Sequence, residues 1–455
     1  MSFRLLSSAL ALTLLSGASA QAFCGFYVAK ADTDLFNQSS KVAMMRDGDR
    51  TVITMANDYQ GEPEEFAMVI PVPEVITREQ VHISDPALLE HLDAYTAPRL
   101  VEYFDNNPCE PILMRESMAM TTADSGFTLR GQAQRAKALG VTIEDQFTVG
   151  EYDILILSAE ESEGLQTWLS EEGYKVPREA RRTLNSYIKQ DMKFFVAKVN
   201  LEERAKSGNE YLRPIAVAFE TPKFMLPIRL GTVNAKDDQD LFVYMLTRSG
   251  QVETTNYRTQ KIPTGQELPT FVKDEFGDFY TSMFTTAADK DGGHGVFMEY
   301  AWDMNWCDPC AADPLSVEQL QELGVYWLDD QPKTPGRDRW GKSMARDVFV
   351  TRLHVRYDAK SFPEDLKFKT TGNRDNFQGR YVLRHAYDGE MQCEAAKAYK
   401  EQVNERRETE IKTLANLTRW DREDILDKVE DSTGFFSIDN DAPTYKWWNR
   451  IWKDD

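Results

Sequence analysis

The chain has 455 residues and a formal net charge of −21, and 42% of its residues are hydrophobic. This length allows two or three domains with buried cores, so disorder over most of the chain is not indicated. The strong negative charge repels phosphate backbones, which argues against a nucleic-acid partner.

The N-terminal segment 1–22 has the features of a secretory signal peptide. A basic start precedes an apolar run from Leu5 to Leu15, and small residues follow this run. We expect cleavage after Ala20 or Ala22, which would release a periplasmic or secreted protein. Because no later apolar run reaches about 18 residues, no transmembrane segment is predicted in the mature chain.

Residues 23–200 predict an N-terminal region of mixed α and β structure. Asp47-Gly48 between two apolar runs is a strong signal for a two-residue hairpin. The run Glu65–Val72 is apolar on both faces, which favours a strand that is covered on both sides. A second buried strand is indicated at Asp153–Ser158. Two helices are predicted after it, over Glu160–Glu171 and Arg178–Gln190.

A further helix is predicted in this region, starting after Asp85. Asp85 suits the N-cap position and Pro86 suits the first helical position, where its missing N–H costs nothing. The apolar side of this helix is expected to continue through Leu100 to Tyr103. Pro98 predicts a kink or a break within it.

Residues 201–393 predict a β-rich region. Apolar runs bounded by turn residues indicate a series of strands. These are expected at Arg213–Phe219, Phe224–Gly231, Leu241–Thr247, Val296–Trp302, Val348–Tyr357 and Arg380–Tyr387. Ser249-Gly250 predicts a hairpin that joins Leu241–Thr247 to a strand at Gln251–Tyr257. The aromatic-rich segment Phe271–Phe284 favours a helix.

The C-terminal segment 394–455 is predicted to be a charged helical arm with a tryptophan-rich tail. From Glu394 to Glu430 apolar residues recur at helical spacing and form one narrow stripe. Three tryptophans near a terminus usually dock on their own domain, and the alternative is contact with a surface or a partner. The tail contains Trp447, Trp448 and Trp452. The elements together predict an α+β fold with a mixed or mainly antiparallel β core, flanking helices and a C-terminal helical arm.

All five cysteines lie beyond the predicted signal peptide. They are Cys24, Cys109, Cys307, Cys310 and Cys393. In an oxidising compartment this number allows two disulfides and one remaining thiol, and spacing alone does not determine the pairing.

The segment Trp306-Cys307-Asp308-Pro309-Cys310 resembles the active-site pentapeptide of thioredoxin-like oxidoreductases. If the protein acts as such an oxidoreductase, Cys307 is the nucleophile and Cys310 is the resolving thiol. Such enzymes need a helix that begins at the first cysteine, whereas the helix predicted here begins near Ser316. We therefore favour a structural disulfide. A metal site that recruits Cys393 and His385 is an alternative that their spacing does not support.

Residues Gly336–Ser343 match the G-x-x-x-x-G-K-S pattern of phosphate-binding loops. That loop functions between a strand and a helix, whose N-terminus points at the phosphates. Here a strand-like run from Val348 follows instead of a helix. We interpret the match as a surface loop and predict no cofactor.

The strand around Val350 is predicted to place Arg352, His354 and Arg356 on one face, because side chains alternate along a strand. Arg380 and Arg384 share a face of the later strand. If the two strands are neighbours, these residues form a candidate anion patch. The alternative is that each is paired with one of the surplus carboxylates.

Several long motifs, in order, are similar to a known family. They include VGEYDILILSA from Val149, EYAWDMNWCDPCAADPL from Glu299, TRLHVRYD from Thr351 and GRYVLRHAY from Gly379. The chain thereby resembles, over about residues 24–393, the bacterial exported family known as domain of unknown function 2330. The resemblance implies an exported protein and supplies no catalytic residues.

The leading hypothesis is a non-enzymatic envelope or extracellular protein that binds a protein or a small ligand and is stabilised by disulfides. The alternative is a thiol-disulfide oxidoreductase that uses Cys307 and Cys310. A further alternative is a hydrolase whose site assembles from distant residues. No pair of carboxylates and no nucleophile motif identifies such a site in the sequence.

Overall fold

A computed structural model describes residues 26–29, 39–56, 66–109, 141–172, 174, 176, 180–207, 212–233, 238–306, 308, 312–328 and 347–437. The strands are β1 Phe26–Ala29, β2 Ser39–Asp47, β3 Arg50–Met55, β4 Phe66–Val72, β5 Val81–Ile83, β6 Arg99–Phe104, β7 Val141–Val149, β8 Tyr152–Ala159, β9 Lys193–Val199, β10 Ile215–Glu220, β11 Met225–Leu226, β12 Gln239–Thr247, β13 Val252–Thr254, β14 Arg258–Lys261, β15 Gln266–Leu268, β16 Gly295–Asp303, β17 Phe349–Tyr357, β18 Leu366–Thr370, β19 Phe377–Gln378 and β20 Arg380–His385. The helices are α1 Pro86–Thr96, α2 Ser162–Glu171, α3 Ala180–Ile188, α4 Leu201–Ser207, α5 Phe276–Lys290, α6 Val317–Leu323, α7 Ala395–Thr418 and α8 Arg422–Ser432.

Two large sheets dominate the described part of the chain. The first has five antiparallel strands in the order β1-β4-β9-β8-β7. The second has the order β14-β16-β17-β12-β2-β3-β10-β5, and β19 also pairs with β16. It is mixed, since β2 runs parallel to β12 and β14 parallel to β16. The predicted α+β class with a mixed, mainly antiparallel core is confirmed, and the larger sheet takes strands from both sides of residue 200.

The two large sheets pack face to face, with helices on their outer faces. Ile70 and Phe195 of the five-stranded sheet join Val217 and Val243 of the nine-stranded sheet in one buried cluster. The other face of the five-stranded sheet packs against α2 and α3, and that of the nine-stranded sheet against α1 and α6. Apolar residues on both faces of these strands explain why the central strands read as continuous apolar runs.

Helix α1 begins as expected and ends earlier than expected. The amide of Ala87 donates to the Asp85 carboxylate at 2.9 Å, which confirms the predicted cap. The helix ends at Thr96, and residues 99–104 form strand β6, parallel to β20. The prediction that Leu100 and Tyr103 lie on this helix is wrong. Pro98 disfavours helical backbone at the residue before it, so the chain leaves the helix in an extended conformation.

The predicted hairpin after β12 does not form. Strand β12 is already paired on both sides, with β17 and with β2, so neither edge is open to the following segment. Strand β13 pairs with β18 instead. A Cβ atom at Gly250 would lie 2.3 Å from the carbonyl oxygen of Asn373, so this close approach of the two backbones requires glycine.

The predicted long strand Phe224–Gly231 is also wrong. Only Met225–Leu226, strand β11, pairs as a strand, and Pro227, which lacks an N–H, follows it.

The C-terminal arm is helical as predicted and is docked on the protein. Ile411 and Leu414 of α7, with Ile425 and Val429 of α8, belong to the main buried cluster. Helix α7 packs against α5 and β15. The narrow apolar stripe of this charged segment therefore marks its contact with the core.

Candidate functional site

Strand β17 places Arg352, His354 and Arg356 on one face, as alternation predicts. The neighbouring strand β12 sets one residue opposite each of them. Tyr244 lies opposite Arg352, Phe242 opposite His354, and Asp240 opposite Arg356. The imidazole of His354 stacks on the ring of Phe284 from α5, with ring centroids 3.5 Å apart. Helix α5 therefore covers this part of the row.

Glu299 is the residue that organises this row. It is fully buried at the point where the pairing of β16 with β17 shifts register, between Met298 and Tyr300. Its carboxylate accepts from Arg352 Nε at 2.5 Å and from His354 Nδ1 at 2.7 Å. The hydroxyl of Tyr280 on α5 also donates to it. The sequence signal for Glu299 is one carboxylate inside an otherwise apolar run.

Two further carboxylates complete the network. Asp93 of α1 accepts from Arg352 at 2.6 Å, from Lys41 at 2.5 Å and from the Tyr244 hydroxyl at 2.8 Å. Asp240 binds the Arg356 guanidinium through two bonds of 2.8 Å. We call the following six residues the ionic cluster. They are Asp93, Asp240, Glu299, Arg352, His354 and Arg356.

The pKa values in the ionic cluster follow from burial and close opposite charges. Burial would raise the pKa of Glu299, but the charges of Arg352 and His354 outweigh it and the pKa lies below its usual value. Burial opposes the charge of His354 in the same way, and Glu299 and Asp240 raise its pKa above the usual value. The three acidic and three basic members thus compensate one another.

The other two candidate anion-binding residues lie elsewhere. Strand β20 belongs to a three-stranded parallel sheet, between β15 and β6, and does not pair with β17. Arg384 donates to Glu267 at 2.7 Å, and Arg380 is exposed. The structure therefore does not join Arg380 and Arg384 to the basic residues of β17.

One disulfide connects distant parts of the described chain. Cys109, after β6, is bonded to Cys393, which lies shortly before α7. Cys393 is thus not available as a metal ligand beside His385, which contacts Glu102 at 2.8 Å. Within the residues that the structure describes, no group of histidines, cysteines and carboxylates is arranged to hold a metal. The remaining functional predictions lie outside the described residues. They are Cys24, Cys307, Cys310, the loop 336–343, Trp447, Trp448 and Trp452.

A cavity of about 140 Å³ lies between the two large sheets. Strands β3 and β10 of the larger sheet and β4 and β9 of the smaller one form its walls, and the segment after β10 forms its rim. The wall side chains are apolar. They include Met55, Ile70, Phe195, Val217 and Met225. Because a cavity arises where strands distant in sequence face each other, no local pattern could have predicted it.

The cavity opens to solvent at one end. Its rim includes Gln190, Pro222 and Lys223, which are exposed, whereas the deep walls at Ile70 and Phe195 are buried. An apolar space with a polar opening suits a small ligand with an apolar part. We take this cavity as the candidate binding site.

Residues 18–369 match the family described as uncharacterized protein conserved in bacteria, DUF2330. The chain belongs to this family. The ionic cluster and the cavity both lie inside the part that matches DUF2330, whereas Cys393, α7 and α8 lie beyond it. Searches of curated proteins and of solved structures found no match. None of the described helices combines the length and apolar character needed to cross a membrane.

Proposed function

We propose that this DUF2330 protein is an exported, non-enzymatic binding protein whose cavity between the two large sheets takes a small apolar ligand. The observation that carries the proposal is the cavity of about 140 Å³ with its apolar walls and its opening at Lys223. An apolar cavity of roughly 150 Å³ can hold a molecule of the size of benzene. The site therefore suits a ligand with only a few carbon atoms in its apolar part.

We assign the ionic cluster a structural role, because its charged side chains are buried and bound to one another. Glu299 is fully buried, and Arg352 and His354 are nearly so. A substrate would have to displace α1 or α5 to reach them. Their hydrogen bonds connect both helices to the sheet and so stabilise the packing of the helices on it.

Export is part of the proposal and rests on the predicted signal peptide and on the cysteines. Cys109 and Cys393 are bonded in the structure. Disulfides form and persist mainly in oxidising compartments such as the periplasm or the extracellular space. Fractionation of cells that produce the protein tests this directly, since the proposal requires a processed chain outside the cytoplasm.

The binding experiment uses 1-hexanol, a neutral probe, in isothermal titration calorimetry. Burial of its methylene groups is expected to give saturable binding with a dissociation constant of about 1 mM or lower. Burial of apolar surface also predicts a negative heat-capacity change. Absence of saturable binding by hexanol and by other probes of this size would contradict the proposal.

Variants that fill the cavity provide the control. Val217 is a buried wall residue and Met225 lies nearer the opening. Val217→Phe and Met225→Trp are both expected to abolish hexanol binding. The second variant changes a less buried position, so the experiment retains a readout if Val217→Phe does not fold. If both variants fold and both still bind hexanol with unchanged affinity, the hexanol site lies elsewhere in the protein.

A thiol-disulfide oxidoreductase is a second candidate, favoured by one observation. Because Cys109 and Cys393 are bonded to each other, neither is left to hold Cys307 or Cys310. Trp306, next to this pair, is 67% exposed. Against it, residues 312–316 form no helix and α6 begins only at Val317. Reduction of insulin by the mature protein, lost in Cys307→Ser, is the result that this candidate requires.

A further inference from the structure

The ligand class of the cavity can be inferred from its rim. This inference rests on the proposed function and concerns the same site. Among the described residues that line the cavity, Lys223 is the one with an ionisable side chain. It is exposed at the opening, in a protein whose net charge is −21. A positive charge at the opening of an apolar cavity would attract a ligand that carries a negative charge, whereas a neutral ligand would gain nothing from it.

The ammonium group of Lys223 is available to a ligand. Within the described part of the chain its side chain makes no ion pair and no hydrogen bond, while its backbone N–H donates to Thr221 Oγ1 at 3.2 Å. The nearby carboxylate of Asp191 is already bound by Lys193 at 2.6 Å. The loop is thus held by its backbone. Lys193 lowers the pKa of Asp191, and the positive charge of Lys223 helps to lower it, but Lys223 makes no direct ion pair with a described residue.

We propose that the cavity binds a small amphiphilic anion, a short aliphatic carboxylate, with its chain between the sheets and its charged group beside Lys223. The apolar walls at Ile70, Phe195 and Val217 would surround the chain. The carboxylate would stay at the opening, where water still reaches it, and so would avoid the cost of burying a charge. This arrangement needs no second cation.

The cavity volume sets the length of the chain. Each methylene group that enters is expected to tighten binding about fourfold. The gain must end when the space of about 140 Å³ is full. Affinity is therefore expected to rise from butanoate to hexanoate and to gain little beyond octanoate.

The test compares hexanoate with 1-hexanol by calorimetry on the mature, oxidised protein near neutral pH. Hexanoate is expected to bind about two- to fivefold more tightly at low salt, as a partly exposed ion pair allows. The advantage should shrink at high salt, because exposed charges are screened. Lys223→Gln should remove this advantage, so that hexanoate binds this variant no more tightly than 1-hexanol does.

Lys397→Gln is the matched control, since Lys397 is also exposed but lies on α7, which contributes no residue to the described cavity lining. It changes the net charge equally and should retain the preference for hexanoate. If hexanol binds and hexanoate shows no advantage, or if Lys397→Gln and Lys223→Gln act alike, the carboxylate proposal is overturned and the binding function stands. If neither probe binds, or if Val217→Phe and Met225→Trp leave both affinities unchanged, both proposals fail.

Discussion

The two faces of the nine-stranded sheet show two ways to use a protein interior. On the outer face, the ionic cluster brings charged side chains together and satisfies them with groups from α1 and neighbouring strands. On the inner face, apolar side chains of β3 and β10 face the other sheet across a space. On the outer face the charged groups are satisfied by contacts within the protein, whereas on the inner face apolar side chains line the cavity that we propose as a binding site.

The largest expected effect concerns the outer face. Arg352→Met leaves Glu299 buried without its main cation, so the free energy of unfolding should fall by about 3–5 kcal/mol. Urea denaturation followed by tryptophan fluorescence measures it. The control is Arg50→Met, whose ion pair with Glu220 is two-thirds exposed and should contribute less than about 1 kcal/mol. Equal losses would show that the ionic cluster is no more important than a surface pair.

A buried carboxylate outside the ionic cluster sharpens the comparison. Glu410 of α7 is 5% exposed, and burial raises its pKa to about 7 although Arg406 lowers it. In the folded state it then keeps a proton that the unfolded chain loses above about pH 4.5, so stability falls as pH rises from about 4.5 to 7. Glu410→Gln should therefore stabilise the protein by up to about 3 kcal/mol near pH 8 and have little effect near pH 4.

Thermal and urea unfolding at both pH values test this prediction. Glu405→Gln, an exposed change on the same helix, serves as the control and should have little effect at either pH. A loss of stability in Glu410→Gln near pH 8 would mean that the arginines around it compensate its charge after all.

Asp93 is expected to show the opposite dependence on pH. Burial would raise its pKa, but Arg352 and Lys41 lower it to about 2. Its contribution is present above the unfolded pKa near 3.8 and is lost as pH falls through about 2. Asp93→Asn should cost about 2 kcal/mol near neutral pH and almost nothing near pH 2. Asp427→Asn, exposed on α8, is the control, and an equal cost in both variants at neutral pH would contradict the assignment.

The smallest effect on stability is expected on the inner face. Val217→Leu adds one methylene group that the cavity can accommodate, so the free energy of unfolding should change by less than about 1 kcal/mol. Hexanol should bind more weakly because the space is smaller. Val243→Leu makes the same change at a fully buried position that does not line the cavity and should cost about 1–3 kcal/mol. Equal costs would indicate that the cavity is closed in solution.

Much of the fold could be predicted from local patterns, and the exceptions have a common cause. The hairpin at Asp47-Gly48 and the cap at Asp85 depend on residues close in sequence, and both are present. The absent hairpin after β12 and the strand at residues 99–104 depend on which distant strands pair. Hydrophobic periodicity indicates which side of a segment is buried, but it does not indicate which strand that segment pairs with.

The ionic cluster and the cavity were less predictable than the fold. Alternation correctly put Arg352, His354 and Arg356 on one face, but their partners Glu299, Asp93 and Asp240 lie between about 50 and 260 residues away in sequence. Whether a basic row binds an outside anion or an internal carboxylate is decided by those contacts. The cavity is a space between side chains of two sheets, and no sequence pattern indicates where such a space is left.

The sequence by itself determined the types of element, the family and the alternation that groups the basic residues of β17. These follow from local propensity, from short motifs and from the geometry of a single strand. Tertiary structure alone decided that Cys109 pairs with Cys393, that the charges on β17 are compensated, and that an apolar space opens beside Lys223. Each of these needs two segments distant in the chain to meet, and their meeting depends on the packing of the whole protein rather than on either segment.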